Sequence, residues 1–260
     1  MINKLNAYLV FFGIDIKKGW QTTKSLRWFL KDKKQLQEQL AGNNEFTFNK
    51  LQPIFSDKFD NGGTIAGHYF HQDLHVAQRV YQNRPVKHVD IASRIDGFVA
   101  HVATFREIEV FDIRPIISKT KNITFTQADF AAEHFDMANY TDSISCLHAI
   151  EHFGLGRYND PIDAFGHLKG LDNIYKLLKP GGKFYLSTPI GPQRIEFNAQ
   201  RVFSISYLLG IFKNKYHIET FSYVDDAGDL HTDIKLQDEK EIRENFGCHY
   251  GCGIFEMVKL

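Results

Sequence analysis

Five short apolar runs set the reading of this chain: VKHVDIASRIDG (86–97), IEVFDI (108–113), ITFTQADF (123–130), DSISCLHAI (142–150) and KFYLST (183–188). Each has the length of a strand, is rich in β-branched and aromatic residues, and ends abruptly in polar ones. Helical patterns fall between them, at Phe98–Phe105 and Ile162–Leu178. The second helical run stops at Pro180-Gly181-Gly182, where glycine lets a helix end turn into a strand. Strands that alternate with helices pair in parallel, since a parallel return needs a crossover of a dozen or more residues. Two more strand-like runs, His217–Val224 and Gly253–Leu260, bring the total to seven. The expected fold is α/β, a seven-stranded, mostly parallel sheet with helices on both faces.

Before this region the grammar differs. Residues 1–42 have helical spacing, with apolar positions at Leu5, Leu9 and Phe12 and again at Leu26, Phe29, Leu30, Leu36 and Leu40. Gly42-Asn43-Asn44 breaks the pattern, 45–66 is irregular, and His68–Gln82 is helical again before Asn83-Arg84-Pro85. The organisation read here is a helical amino-terminal extension, 1–85, and an α/β domain, 86–260.

Lys plus Arg and Asp plus Glu stand at 31 each, which lacks the basic excess of a dedicated nucleic-acid binder. The charge is uneven: residues 1–40 hold eight basic residues (Lys4, Lys17, Lys18, Lys24, Arg27, Lys31, Lys33, Lys34) against Asp15, Asp32 and Glu38. That segment reads as a solvated charged helix, as a protein-docking element, or as a peripheral contact with an anionic membrane face through Leu9, Phe11, Phe12, Trp20, Trp28 and Phe29. No apolar run is long enough to span a bilayer, and the short stretch Ala7–Ile14 has no cleavage site of the signal-peptide kind. Three cysteines, Cys146, Cys248 and Cys252, cannot all pair within one chain. A reducing, cytoplasmic setting is expected.

In open parallel sheets, ligands bind at the carboxyl ends of the strands. The first strand ends in DIASRIDG (90–97), a turn with small residues that let backbone approach a ligand. The next strand-end acid, Asp112, follows Asp90 by 22 positions. In dinucleotide folds an acid about 20 residues on accepts hydrogen bonds from ribose hydroxyls. A carboxylate, with two acceptor oxygens, suits a vicinal diol. Ala128-Asp129 at the third strand end is placed to meet an adenine amino group.

The order DIASRIDG, FDIRP, QADF, DSISCLHAIEHFG and LLKPGGKFYLSTP resembles the class I (Rossmann-like) S-adenosylmethionine (SAM) dependent methyltransferases over about residues 86–190. The HYFHQDLHVAQRVY segment (68–81) and the DIASRIDG turn are similar, more narrowly, to an uncharacterised methyltransferase-like family, domain of unknown function 268. The resemblance implies a SAM cofactor. By it, Asp90, Ala92, Ser93 and Gly97 would wrap the methionine end, Asp112 would hold the ribose, Asp129 and Phe130 would flank adenine, and Leu147 and His148 would line the sulfonium side. One departure matters. The family's glycines two, four and six positions after the acid are here Ala92, Arg94 and Asp96. The turn then either takes another path through Gly97 or binds SAM weakly, and a non-catalytic, ligand- or partner-binding relative stands as the alternative.

Methyl transfer to oxygen calls for a base, and imidazole titrates in the right range. His152 and then His148 are the candidates, against a purely structural role for either; Tyr158, Asp160 and His167 are weaker ones. Gln193, Arg194, Glu196 and Asn198, in the loop after the fifth strand, are candidates for acceptor contact. No metal site is expected. His148 and His152 lack the helical H-E-x-x-H order, and Cys248-His249-x-x-Cys252 has no partner pair and reads as a turn or core segment. The function read is SAM-dependent O-methylation of a sugar or other small or glycan acceptor, as in polysaccharide biosynthesis. Oligomeric state is open.

Overall fold

The computed structural model describes residues 6, 9, 10, 12–42, 45–133 and 135–260. The chain divides into two compact units, Met1–Thr64 and Ile65–Leu260. This division falls at 64/65, whereas the sequence reading sets its boundary at 85/86. The reason is the helix His68–Asn83, which buries Val76, Ala77 and Val80 in the same core as Val110 and Ile254 of the sheet. Its amphipathic spacing was visible in the sequence, but not the surface it covers.

The first unit is built on one long helix, α1 (Ile16–Gln39), capped by Asp15, whose Oδ1 accepts from Lys18 N. Trp28, Phe29, Phe55 and Phe59 pack edge to face within this unit. Trp20, Leu26, Leu30 and Leu36 are exposed along α1. Lys4, Leu5, Phe11, Asn43 and Asn44, on which part of the sequence reading falls, lie outside the described residues. No described helix is long and apolar enough to cross a membrane.

The second unit opens with α2 (His68–Asn83) and continues through β1 (His88–Ile91), the short α3 (Ala100–Ala103), β2 (Ile108–Asp112), β3 (Ile123–Gln127), β4 (Thr141–Leu147) and α4 (Gly166–Leu177). It ends with β5 (Leu178–Ile190), a small hairpin of β6 (Arg194–Glu196) and β7 (Gln200–Val202), α5 (Ile205–Phe212), β8 (Tyr216–Val224), β9 (Leu230–His231), α6 (Glu239–Arg243) and β10 (Gly251–Lys259). The main sheet runs β3-β2-β1-β4-β5-β10-β8-β9. From β3 to β5 the strands are parallel; β10 lies antiparallel between β5 and β8. This is the mixed Rossmann-like sheet that the sequence predicts, with eight strands instead of seven. The extra one is the two-residue β9, too short to show a period.

The central strands are buried on both faces, which is why they read as nearly continuous apolar runs. One face is covered by α4 and α5, through Leu171, Ile174, Leu177, Leu208 and Phe212. The other is covered by α2 and the turn-helix segment around Phe98, Val99 and Val102. The third strand and α4 are shorter than their sequence patterns, and β5 is longer, starting at Leu178 before the Pro-Gly-Gly turn.

An ionic knot fixes α2 to the sheet. Glu256 of β10 is 3% exposed. It accepts from Arg79 Nε (2.6 Å), Asn83 Nδ2 (2.8 Å) and Lys183 Nζ (2.8 Å). Asn83 also donates to the Tyr185 hydroxyl at 2.6 Å. Removing one member of a buried charge cluster strands the others. Glu256→Ala is therefore expected to lower the unfolding free energy by about 2–3 kcal/mol, discounted for the partly exposed cations; a denaturant midpoint equal to wild type would show that the knot contributes nothing.

Candidate functional site

The strand order reverses between β1 and β4, because the chain leaves β3 at one edge and re-enters beside β1. Neighbouring crossovers there go to opposite faces and leave a crevice at the carboxyl ends. A cavity of about 660 Å³ occupies it, within the range of small-molecule sites. Its floor is Ile91 and Ala92 after β1, Phe111–Arg114 at the end of β2, Ala128–Ala131 after β3, and His148-Ala149 after β4.

Asp112, 6% exposed, lines this cavity. Its Oδ1 accepts from Arg114 N (2.8 Å) and Nε (3.0 Å), and its Oδ2 from Arg114 Nη2 (2.6 Å). The Arg114 guanidinium in turn lies 4.3 Å over the Tyr158 ring. A carboxylate has about four acceptor positions, so this fork leaves part of Oδ2 able to accept another donor. Asp129 accepts from Ala131 N at 2.8 Å and also lines the cavity, as does Phe130, which packs on Phe111 and Phe135.

Of the residues expected at a cofactor, Ala92, Asp112, Asp129, Phe130 and His148 meet in this cavity, joined by the base candidate His152, and Asp90, Ser93, Gly97 and Leu147 do not line it. Asp90 is fully buried. It accepts from Ser93 N (2.9 Å), Ser93 Oγ (2.6 Å) and Ser145 Oγ (2.5 Å), and Ser93 Oγ accepts from Leu147 N at 3.0 Å. These residues shape the turn from behind. Leu147 points into the core beneath α2. Gly97 is explained by packing: a Cβ there would stand 2.2 Å from Asp73 Oδ2 of α2. The turn's bend falls on Ala92 instead, at φ +58°, a conformation that a small residue adopts at moderate cost. Arg94 and Asp96, in the place of glycines, pair with each other at the surface.

His148 follows β4 with φ +49°. Its Nδ1 pairs with Glu151 Oε1 at 2.8 Å, and its Nε2 has no hydrogen-bond partner. Burial disfavours the charged ring, but Cys252 and the Glu151 carboxylate outweigh it and raise its pKa. Glu151 is fully buried. His152 pairs through Nδ1 with Ala199 O at 2.7 Å. The carbonyl accepts only, so Nδ1 carries the proton and Nε2 keeps its lone pair. Burial lowers the His152 pKa against the pull of Glu151, so the ring is held neutral.

The wall opposite is the 153–164 loop. Asp160 accepts from Gly154 N, Gly156 N and Tyr158 N. The Arg201 guanidinium, 4% exposed, caps the carbonyls of Glu151, Phe153, Asp163 and Ala164. Tyr158 and Asp160 thus line the cavity, whereas His167 is bonded to Tyr207 away from it. Gln193, Arg194, Glu196 and Asn198 belong to the β6–β7 hairpin and are not among the lining residues; Gln200 is. Sequence reasoning missed His68, Tyr69, Arg114, Arg157 and Tyr250. Only Arg114, two residues after the strand-end acid, carried a local signal.

The sequence profile of a family described as "Caenorhabditis protein of unknown function, DUF268" matches residues 85–246. No curated protein matches the chain. Among solved structures, the N-methyltransferase NodS from Bradyrhizobium japonicum in complex with S-adenosylhomocysteine is 13% identical, with 74% of this chain and 88% of that one covered at a TM-score of 0.49. The Burkholderia thailandensis 1,6-didemethyltoxoflavin-N1-methyltransferase is 15% identical, covering 72% and 78% at 0.49. An S-adenosylmethionine-dependent methyltransferase from Clostridium acetobutylicum is 11% identical, covering 73% and 91% at 0.48.

Burial holds the Asp90 carboxyl up to about 6. Its folded-state pKa thus lies above the unfolded one, and its contribution to stability is full below about pH 4 and lost as pH rises through about 6. The difference in unfolding free energy between wild type and Asp90→Asn is expected to shrink across that window; a pH-independent difference would contradict the assignment.

Proposed function

The chain belongs to the DUF268 family, and we propose that it is a SAM-dependent methyltransferase acting on a hydroxyl of a sugar or other small, glycan-like acceptor. The observation that carries this reading is the Asp112 carboxylate at the end of β2, lining a cavity at the switch point with Asp129 and Phe130 beside it. That set offers an acceptor for a ribose diol, a polar group for the adenine edge and an aromatic surface against the ring. Tyr69, Tyr158 and Tyr250 add flat faces with hydroxyls, which suit a polyhydroxylated acceptor.

Bound SAM would supply an electrophilic methyl group. The protein's part is to hold an acceptor oxygen in line with it, which is the larger share of the acceleration. His152, neutral and tethered through Nδ1 to Ala199, takes the acceptor proton on Nε2. His148, the other base candidate, is paired with Glu151 and clusters with His68 and Cys252, and is the weaker choice. A second reading, a non-catalytic binding relative, draws on the Arg114 fork over Asp112 and on the Arg94–Asp96 pair in place of glycines. Contact of α1 with an anionic membrane face is a further part of the proposal, supported by exposed Trp20 and by Lys24 lying 3.5 Å over its ring.

Calorimetric titration with S-adenosylhomocysteine is expected to show saturable binding that Asp112→Ala weakens at least about tenfold, the worth of one charge-assisted hydrogen bond. No heat at millimolar ligand would favour the non-catalytic reading, and unchanged affinity in Asp112→Ala would remove the site assignment. His152→Ala is expected to lower kcat for methyl transfer to a saccharide panel by about 100-fold with cofactor affinity unchanged. The acid limb of the wild-type kcat profile should fall below the ordinary histidine range; a limb above it would exclude His152 as base.

A further inference from the structure

Three side chains from distant parts of the chain converge, two of them, His68 and His148, lining the cavity. His68 is the first residue of α2, His148 follows β4, and Cys252 is the second residue of β10. One ligand atom from each, two imidazole nitrogens and the thiol sulfur, lies within 4.8 Å of the others. Two imidazoles and a thiolate are a donor set for a borderline-soft divalent cation, zinc above all.

A second, independent observation points the same way. His148 is 9% exposed, and its buried Nε2 has no hydrogen-bond partner. Leaving a buried polar nitrogen unsatisfied costs about 1–3 kcal/mol, so its retention needs a reason. Cys252 is the ring's neighbour in this cluster, and its sulfur also lies 3.7 Å from Gln72 Oε1 and 3.9 Å from Gly253 O. The other nitrogen of the same ring is held by Glu151 Oε1 at 2.8 Å. A carboxylate on the far nitrogen of a histidine is the usual device that fixes ring orientation and tautomer for metal binding. Glu151 itself is fully buried with Oε2 unpartnered, and a buried anion needs a compensating charge.

We propose that His68, His148 and Cys252 form a three-ligand site for a divalent transition-metal ion of the zinc type, with Glu151 orienting His148. Coordination at about 2.0–2.3 Å brings ligand atoms to roughly 3.3–3.8 Å apart, so assembly requires an approach of about 1 Å. His68, the least buried of the three, makes it. His68 and His148 both line the large cavity, so a bound ion shares that space, and a small-molecule oxygen or water is the ordinary fourth ligand of such an ion. Its ligands are other residues than Asp112, Asp129 and Phe130, and its existence does not depend on methyl transfer.

The test uses the full chain, stripped with chelator and then titrated with zinc or cobalt(II). One ion per chain is expected, and the cobalt form should show a thiolate-to-cobalt charge-transfer band in the near ultraviolet. Cys252→Ser should abolish that band, and His68→Ala should weaken binding at least about tenfold, while Cys248→Ser leaves both intact. Where Cys252→Ser fails to fold by circular dichroism, His68→Ala, at the edge of α2, keeps the comparison. Sub-stoichiometric metal in the wild type, a band that survives Cys252→Ser, or equal loss in Cys248→Ser would overturn the proposal. Zinc binding that persists in Asp112→Ala is the result expected if the two sites are independent.

Discussion

The Asp90 carboxylate is buried at the place where β1 and β4 run side by side, and three donors converge on it. Two come from the turn after β1 and the third, Ser145 Oγ, from β4. It therefore ties the two strands that flank the switch point and fixes the direction in which the turn leaves the sheet. Ser93 extends the tie by accepting from Leu147 N, and the next residue, His148, is turned into the cavity by its positive φ. The positions of Ala92 and His148 both follow from this one group. Because it has no water to fall back on, a change there alters the crevice and the stability together.

Much of the architecture could be read from the chain. Five strand-length runs with helical patterns between them, and the Pro-Gly-Gly turn, specify a parallel sheet by local rules alone. The pair Asp112 and Asp129 was legible because each sits at the end of its own strand, and a strand's end faces the crevice in any fold of this kind. Asp90 was legible as important, but its role was not. A strand-end acid accepts equally from a ligand or from its own turn, and only packing showed that Asp90 is held by Ser93 and Ser145 behind the cavity and not among its lining residues.

What stayed hidden depends on long-range assembly. His68 comes from α2, Tyr250 from the approach to β10 and Cys252 from β10 itself; His68 precedes His148 by 80 residues and Cys252 follows it by 104. Nothing in local spacing says that they meet. The same limit explains why α2 is read with the amino-terminal extension and not with the sheet it covers. The apolar stripe of α2 was plain, but a stripe does not name its partner, and here that partner is the sheet carrying Val110 and Ile254. Gly97 misled for a related reason, since close approach to a helix and close approach to a ligand leave the same residue behind.

The loop that walls the cavity is stitched to itself. Asp160 gathers three amides and Arg201 four carbonyls, so the backbone from 151 to 164 is held by contacts that need no guest. Such a wall is a preformed rim and not a flap that folds down on arrival. A molecule entering this crevice would forfeit its own freedom but little of this rim's.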